Sequence, residues 1–222
     1  MAHKVAVING KEPSAGIGGV SGADLQNFQV NFLSAGITSA NDYLVEQNGT
    51  PNMNVKVNTG KAYIFKADSS DVYVSYLDSA LTNVAITANS SGNSRIDAVV
   101  IKIDLSATPD NLASNVASLV VVAGTPAGSP TAPSDSDINT ACGAGNPWYK
   151  LAHVTVANGA SSITNANISD QRAGVTFKLL GGRFKYNTST SKLQFSNDSG
   201  SNYKDLSAAN VTPTFTVIGG LS

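Results

Sequence analysis

The run SRIDAVVIKID, residues 94 to 104, limits what this chain can fold into more than any other stretch. As a strand it places Asp97, Val99, Ile101 and Ile103 on one face and Ile96, Ala98, Val100 and Lys102 on the other. Both faces are apolar through the middle, so the strand must be covered on both sides there. Arg95 and Asp97 share a face at one end, at a spacing that lets them pair with each other or with neighbours. A buried charge needs such a partner, whereas a catalytic role would need further groups nearby.

Short strand-like runs separated by turn residues fill most of the chain. MNVKVNTG alternates Val55 and Val57 with polar residues and ends on Asn58-Thr59-Gly60, and KAYIF follows at once. This predicts a hairpin. DVYVSYL sets Val72, Val74 and Tyr76 opposite Tyr73 and Ser75. NVAITAN (83–89) leads through SSGNS into the opening run. SLVVVAG (118–124) is a candidate central strand, and KLAHVTVANG (150–159) alternates Ala152, Val154 and Val156 with polar partners. The expected fold is mainly β, an antiparallel sandwich or barrel-like domain.

Only ADLQNFQVNFLSAG (23–36) competes for helix. Leu25, Phe28 and Phe32 fit one helical face and Gly36 fits a C′ cap, which predicts one short helix near the N-terminus. Residues 124 to 147 hold Pro126, Pro130, Pro133 and Pro147 among Gly and Ser, and read as a long surface loop. After DQRAG (170–174) the composition changes, and GRFKYNTSTSKLQFSNDSGSNYKDL (182–206) reads as three short strands. The expected division is a flexible arm over 1–22, a β-rich anchoring domain over 23–175, and a hairpin tail over 176–222. The glycine-rich start, residues 10 to 22, and the tail are both expected to order mainly through contacts with other chains. The start has too few apolar side chains to offset its ordering entropy, and the tail's small sheet is marginal in water unless its apolar face is covered.

Charged residues make up 13% of the 222 positions, about half the roughly 25% of ordinary globular chains, and the net charge is −1. This argues against nucleic-acid binding, which needs clustered Lys and Arg. Ser, Thr, Asn and Gly supply the polar surface instead, a composition common on extracellular and virion proteins. No stretch approaches the ~20 apolar residues of a membrane span, and MAHKVAVINGKEP lacks the apolar core of a signal peptide. The expectation is a chain made in a cytoplasm, with no membrane insertion.

Candidate chemistries are few. Gly16, Gly18 and Gly19 follow a strand-like start, but Ser21 stands where a dinucleotide fingerprint needs its third glycine. DSDIN (135–139) opens like a calcium loop. Thr140 replaces its central Gly, however, and Asn146 its closing Glu. Cys142 is the single cysteine, so neither an intrachain disulfide nor a multi-thiolate zinc site is available. A triad would have to centre on His153, which reads as a strand histidine with no G-x-S-x-G beside it. No catalytic residue, metal site or cofactor is expected, and the chain is read as a non-enzyme.

Four motifs in order carry a resemblance. A V-x-V-x-x-G-x-A-x-I run at 55–64 is followed by R-I-D-x-V-V at 95–100 and G-T-P-A at 124–127. L-A-x-V-x-V at 151–156 then leads into I-T-x-x-x-I-x-D-x-R at 163–172. This series, covering about residues 51 to 173, resembles virion proteins of tailed bacteriophages, the tail, baseplate and fibre-associated kind. The segment YNTSTSKLQ (186–194) looks like hairpins that punctuate phage tail fibres. The resemblance implies a structural virion component that docks on other virion proteins, located in the virion after assembly in the bacterial cytoplasm. It implies three-fold packing, hence a homotrimer. It also implies that Arg95 and Asp97 are structural, pairing at the strand ends, with Asp170 or Arg172 as further partners. The departures are a longer loop before Trp148 and a short tail.

A second reading is a glycan-binding module, either a receptor-binding protein or an adhesin, with Trp148, Tyr149 and Tyr203 as contacts to sugar or partner. Trp148 follows Pro147 and serves equally to anchor the long loop on the core. A head fibre or capsid decoration protein is a further placement. A hydrolase of cell-surface polymer is the least supported reading.

Overall fold

The computed structural model describes residues 3–6, 29–30, 32–66, 71–107, 116–179, 182–187, 189, 192–196 and 204–205. In chain order the strands are β1 (His3–Ala6), β2 (Gly36–Ile37), β3 (Val45–Gln47), β4 (Asn54–Val57), β5 (Gly60–Phe65), β6 (Val72–Leu77) and β7 (Leu81–Ala85). Next come β8 (Arg95–Ile103), β9 (Ala117–Val122), the helix α1 (Asp135–Cys142), β10 (Trp148–Val156) and β11 (Ile168–Asp170). The last four strands are β12 (Thr176–Leu179), β13 (Gly182–Asn187), β14 (Lys192–Ser196) and β15 (Lys204–Asp205). The fold is mainly β, as the alternating patterns required. The sheets run β11-β10-β8-β9, β1-β6-β5-β2, β3-β4-β7 and β12-β13-β14-β15, every named pair is antiparallel, and none of these sheets closes into a barrel. The arrangement is sandwich-like.

β8 lies at the centre, as its two apolar faces demand. Its odd positions Val99, Ile101 and Ile103 enter a large core with Val55 and Val57 from β4, Ala62 and Ile64 from β5, and Val154 and Val156 from β10. Its even positions Ala98 and Val100 face a smaller cluster closed by Val122, Ile138 and Cys142. Val99, Val100 and Ile101 are all fully buried. At about 25 cal/mol per Å² of apolar surface, burial of this kind is what holds the layers together.

Four sequence expectations differ from the structure. First, 54–65 is no hairpin. β4 pairs with β3 and β7, while β5 pairs with β6 and β2. The corner residues bond to another segment: Asn58 N donates to Leu44 O at 2.9 Å and Tyr43 N to Thr59 O at 3.3 Å. A side chain at Gly60 would collide with the Asp42 backbone. The turn residues were legible, but their partners lie elsewhere in the chain, so the two strands enter different sheets. Second, β9 is an edge strand and β8 and β10 are the central ones.

Third, a helix occurs inside the stretch read as a loop. Ser134 caps α1, with Ser134 Oγ accepting from Asp137 N at 3.2 Å and Ser134 N donating to Asp137 Oδ2 at 2.8 Å. Ile138 and Cys142, four apart, bury one face, and Gly143 at φ 87° ends the helix. The S-x-x-D box was the overlooked signal. Ser134→Ala is expected to cost about 1 kcal/mol, read as a shift in the urea midpoint. No shift would mean that α1 is held by its buried face alone.

Fourth, Gly36 is no C′ cap; it lies in β2, and Ile37 N bonds to Ala173 O at 2.9 Å. Half of the proposed helix over 23–36 lies outside the described residues; the rest shows helical geometry at 29, 30 and 32 but not over 33–36. Of the arm, residues 3–6 form β1 and pair with β6, and the glycine-rich part lies outside the described residues. The tail strands form their own sheet, with Phe184 opposite Phe195 and Tyr186 opposite Leu193. Tyr203 lies outside the described residues. Among the described residues no helix is long and apolar enough to cross a membrane.

Candidate functional site

Arg95 and Asp97 form a two-bond fork. Arg95 Nε reaches Asp97 Oδ1 at 2.8 Å and Nη2 reaches Oδ2 at 3.0 Å. Two further guanidinium N–H groups go to the carbonyls of Thr87 at 2.5 Å and Ala88 at 3.3 Å. Asp97 is fully buried, and its Oδ1 also accepts from Gly124 N at 3.0 Å. The fork thus ties the start of β8 to the segment before it and to the end of β9. Both members sit on one strand face, two residues apart, which is why the local sequence already places them together. Gly124 has to be glycine, because a Cβ there would fall well inside van der Waals distance of Ile96 O. The R-I-D and G-T-P-A motifs are therefore two halves of one clamp.

Asp170 and Arg172 repeat the design elsewhere. Arg172 Nε and Nη2 bond to Asp170 Oδ1 and Oδ2 at 2.8 and 2.7 Å. Arg172 Nη1 then reaches the carbonyls of Ala40 at 3.0 Å and Asp42 at 2.6 Å, some 130 positions earlier in the chain. Burial pushes the Asp170 carboxyl up, but the Arg172 fork outweighs it and holds the group below the usual carboxylate range. The two forks are separate: each Asp bonds the Arg of its own motif, and no described bond joins Arg95 or Asp97 to Asp170 or Arg172.

Of the three aromatics read as ligand contacts, Tyr203 lies outside the described residues, and Trp148 and Tyr149 bond to different partners. Tyr149 OH donates to Ala173 O at 2.9 Å and accepts from Ala173 N at 2.6 Å, so it locks the end of the second clamp. Burial raises its phenol pKa. Trp148 packs on the small cluster beneath α1, and its Nε1 donates to Asn139 Oδ1 at 2.6 Å. Trp148 is thus the anchor that fastens the 124–147 segment. It also borders a cleft of about 540 Å³ with Phe65, Lys66, Asp135, Asn139 and Asn146.

The calcium-loop residues are committed to other partners. Asp137 belongs to the cap of α1, Asp135 pairs with Lys150 at 3.2 Å, and Asn139 holds Trp148. Burial raises the Cys142 thiol pKa and so keeps it protonated.

His153 lies on β10 opposite Ala98 and Ser169, with a buried Nε2 that has no hydrogen-bond partner among the described residues. Ser169 Oγ accepts from Gln171 Nε2 at 3.1 Å, and among the described residues no bond joins it to His153. Burial, then the nearby Lys150 charge, lowers the His153 pKa. A lowered folded pKa means the unfolded chain takes up a proton first as pH falls through about 6.5, so stability drops there. Melting at about pH 7.5 and 5.5 should show a larger loss for the parent than for His153→Gln. Equal losses would show that His153 titrates alike in both states.

Compared with family models, curated proteins and solved structures, the chain matches none, so its reading rests on the two clamps, the Trp148 cleft and the motif order.

Proposed function

We propose that the chain is a non-enzymatic structural component of a tailed-bacteriophage virion, in the tail, baseplate or a fibre, that oligomerises and docks on neighbouring virion proteins. One observation carries the reading. The charged residues of the motifs behind the resemblance are spent on holding the fold: Arg95 and Asp97 in one clamp, Asp170 and Arg172 in another. Clamps that tie distant backbone segments suit a domain whose work is to keep its shape inside an assembly. The low charge, 13% of residues, suits surfaces that other chains cover. A separate four-stranded sheet after residue 175 suits a second contact point.

The test is co-expression with the products of neighbouring genes, followed by electron microscopy with an antibody against the chain. Labelling at symmetric positions on a tail, baseplate, fibre or head would support the proposal, and the position would assign the part. A chain recovered only as a free monomer by light scattering, with no labelled particle, would sink it. Three-fold packing adds a sharper demand, a trimer mass for the purified chain or its complex.

A further inference from the structure

We infer that the cleft between α1 and the end of β5 is a binding site for a neutral saccharide, an inference that stands or falls separately from the virion reading. Its volume of about 540 Å³ lies within the roughly 300–1,000 Å³ of small-ligand sites. Two aromatic side chains, Phe65 and Trp148, line it together with Pro147, and they supply apolar surface for the C–H faces of a sugar ring. Lys66 pairs with Asp71 at 3.9 Å and Asp135 with Lys150 at 3.2 Å, and the Lys150 ammonium also lies 5.8 Å from the Trp148 ring centre. Each charge at the cleft is thus balanced, and no net field favours an anion such as a phosphate ester. A single carboxylate is too few for a divalent cation.

The directional element is Asn139. Its Oδ1 takes the Trp148 indole N–H at 2.6 Å, which fixes which way the amide faces. The two Nδ2 donors are left without a partner among the described residues, on the exposed side of α1. Asp135, one helical turn earlier, has one carboxylate oxygen on Lys150 and the other without a partner among the described residues. A preset donor pair and an acceptor one turn apart, beside an aromatic, match adjacent hydroxyls on a ring better than they match any charged group.

Trp148 is the single tryptophan of the chain, so its emission reports this cleft alone. The full chain is titrated with neutral oligosaccharides built on glucose, galactose, N-acetylglucosamine and rhamnose. Glucose 6-phosphate and a proline-rich peptide serve as comparators. At least one neutral oligosaccharide should shift Trp148 emission saturably below about 20 mM. Asn139→Asp keeps an oxygen for Trp148 but removes the donors, and Ala144→Tyr narrows the cleft from its exposed loop. One or both should weaken binding by about tenfold or more, with melting unchanged. No shift with any neutral sugar, a shift only with a comparator, or binding unchanged in both variants would overturn the inference.

Discussion

Asp97→Ala is expected to lower the unfolding free energy by about 3–5 kcal/mol, the cost of breaking a buried ion pair from one side. Asp97 has no exposed surface, and it receives two bonds from Arg95 and one from Gly124 N. Removing the carboxylate strands a guanidinium whose side chain is 7% exposed, together with a backbone N–H. For a chain of this size each kcal/mol moves the melting temperature by about 2–4 °C, so a drop of at least 6 °C should appear in calorimetry. A double replacement, Arg95→Met with Asp97→Leu, should recover part of the loss, because it removes both charges rather than one. An Asp97→Ala variant that melts within about 2 °C of the parent would show that the fork contributes nothing.

Gly124→Ala should have the next largest effect. The added methyl meets the carbonyl of Ile96, which is backbone of the central strand and has no rotamer by which to move aside. Relief requires β9 and the following segment to shift, and that shift also stretches the Gly124 N–Asp97 bond. Overpacking against backbone together with a weakened buried hydrogen bond is expected to cost about 3 kcal/mol. The control is Gly128→Ala, four residues on, where an added Cβ meets nothing within 4 Å. It should be neutral to within about 0.5 kcal/mol. If both variants lose the same stability, the effect comes from glycine's chain entropy and not from the approach to Ile96.

These expectations separate what neighbouring residues determine from what distant ones do. β8 and β10 were legible because period-two burial is a local pattern: an apolar run on both faces means a covered strand, whatever covers it. The Arg95–Asp97 fork was legible for the same reason, since two residues along a strand return to the same face. The Asp170–Arg172 fork has the same spacing, but its importance lies in the carbonyls of Ala40 and Asp42, which no local pattern indicates.

The misread elements all turn on partners far away in sequence. Asn58-Thr59-Gly60 has hairpin composition, yet Leu44 and Tyr43 take its hydrogen bonds and steer β5 to β6. SLVVVAG looks central because it is apolar, and it is an edge because β8 pairs with β10 on its other side. Residues 124–147 look like loop because Pro and Gly dominate, and composition outweighed the capping box at Ser134. Sequence by itself determined the β class, the central strand and the Arg95–Asp97 pair, because each depends on side chains within a few positions. Asp170 and Arg172, expected as partners of that pair, bond each other instead. Only the tertiary structure decided strand partners, the place of α1 and the Trp148 cleft, because those depend on hydrogen bonds and packing between segments that the chain brings together from tens of residues apart.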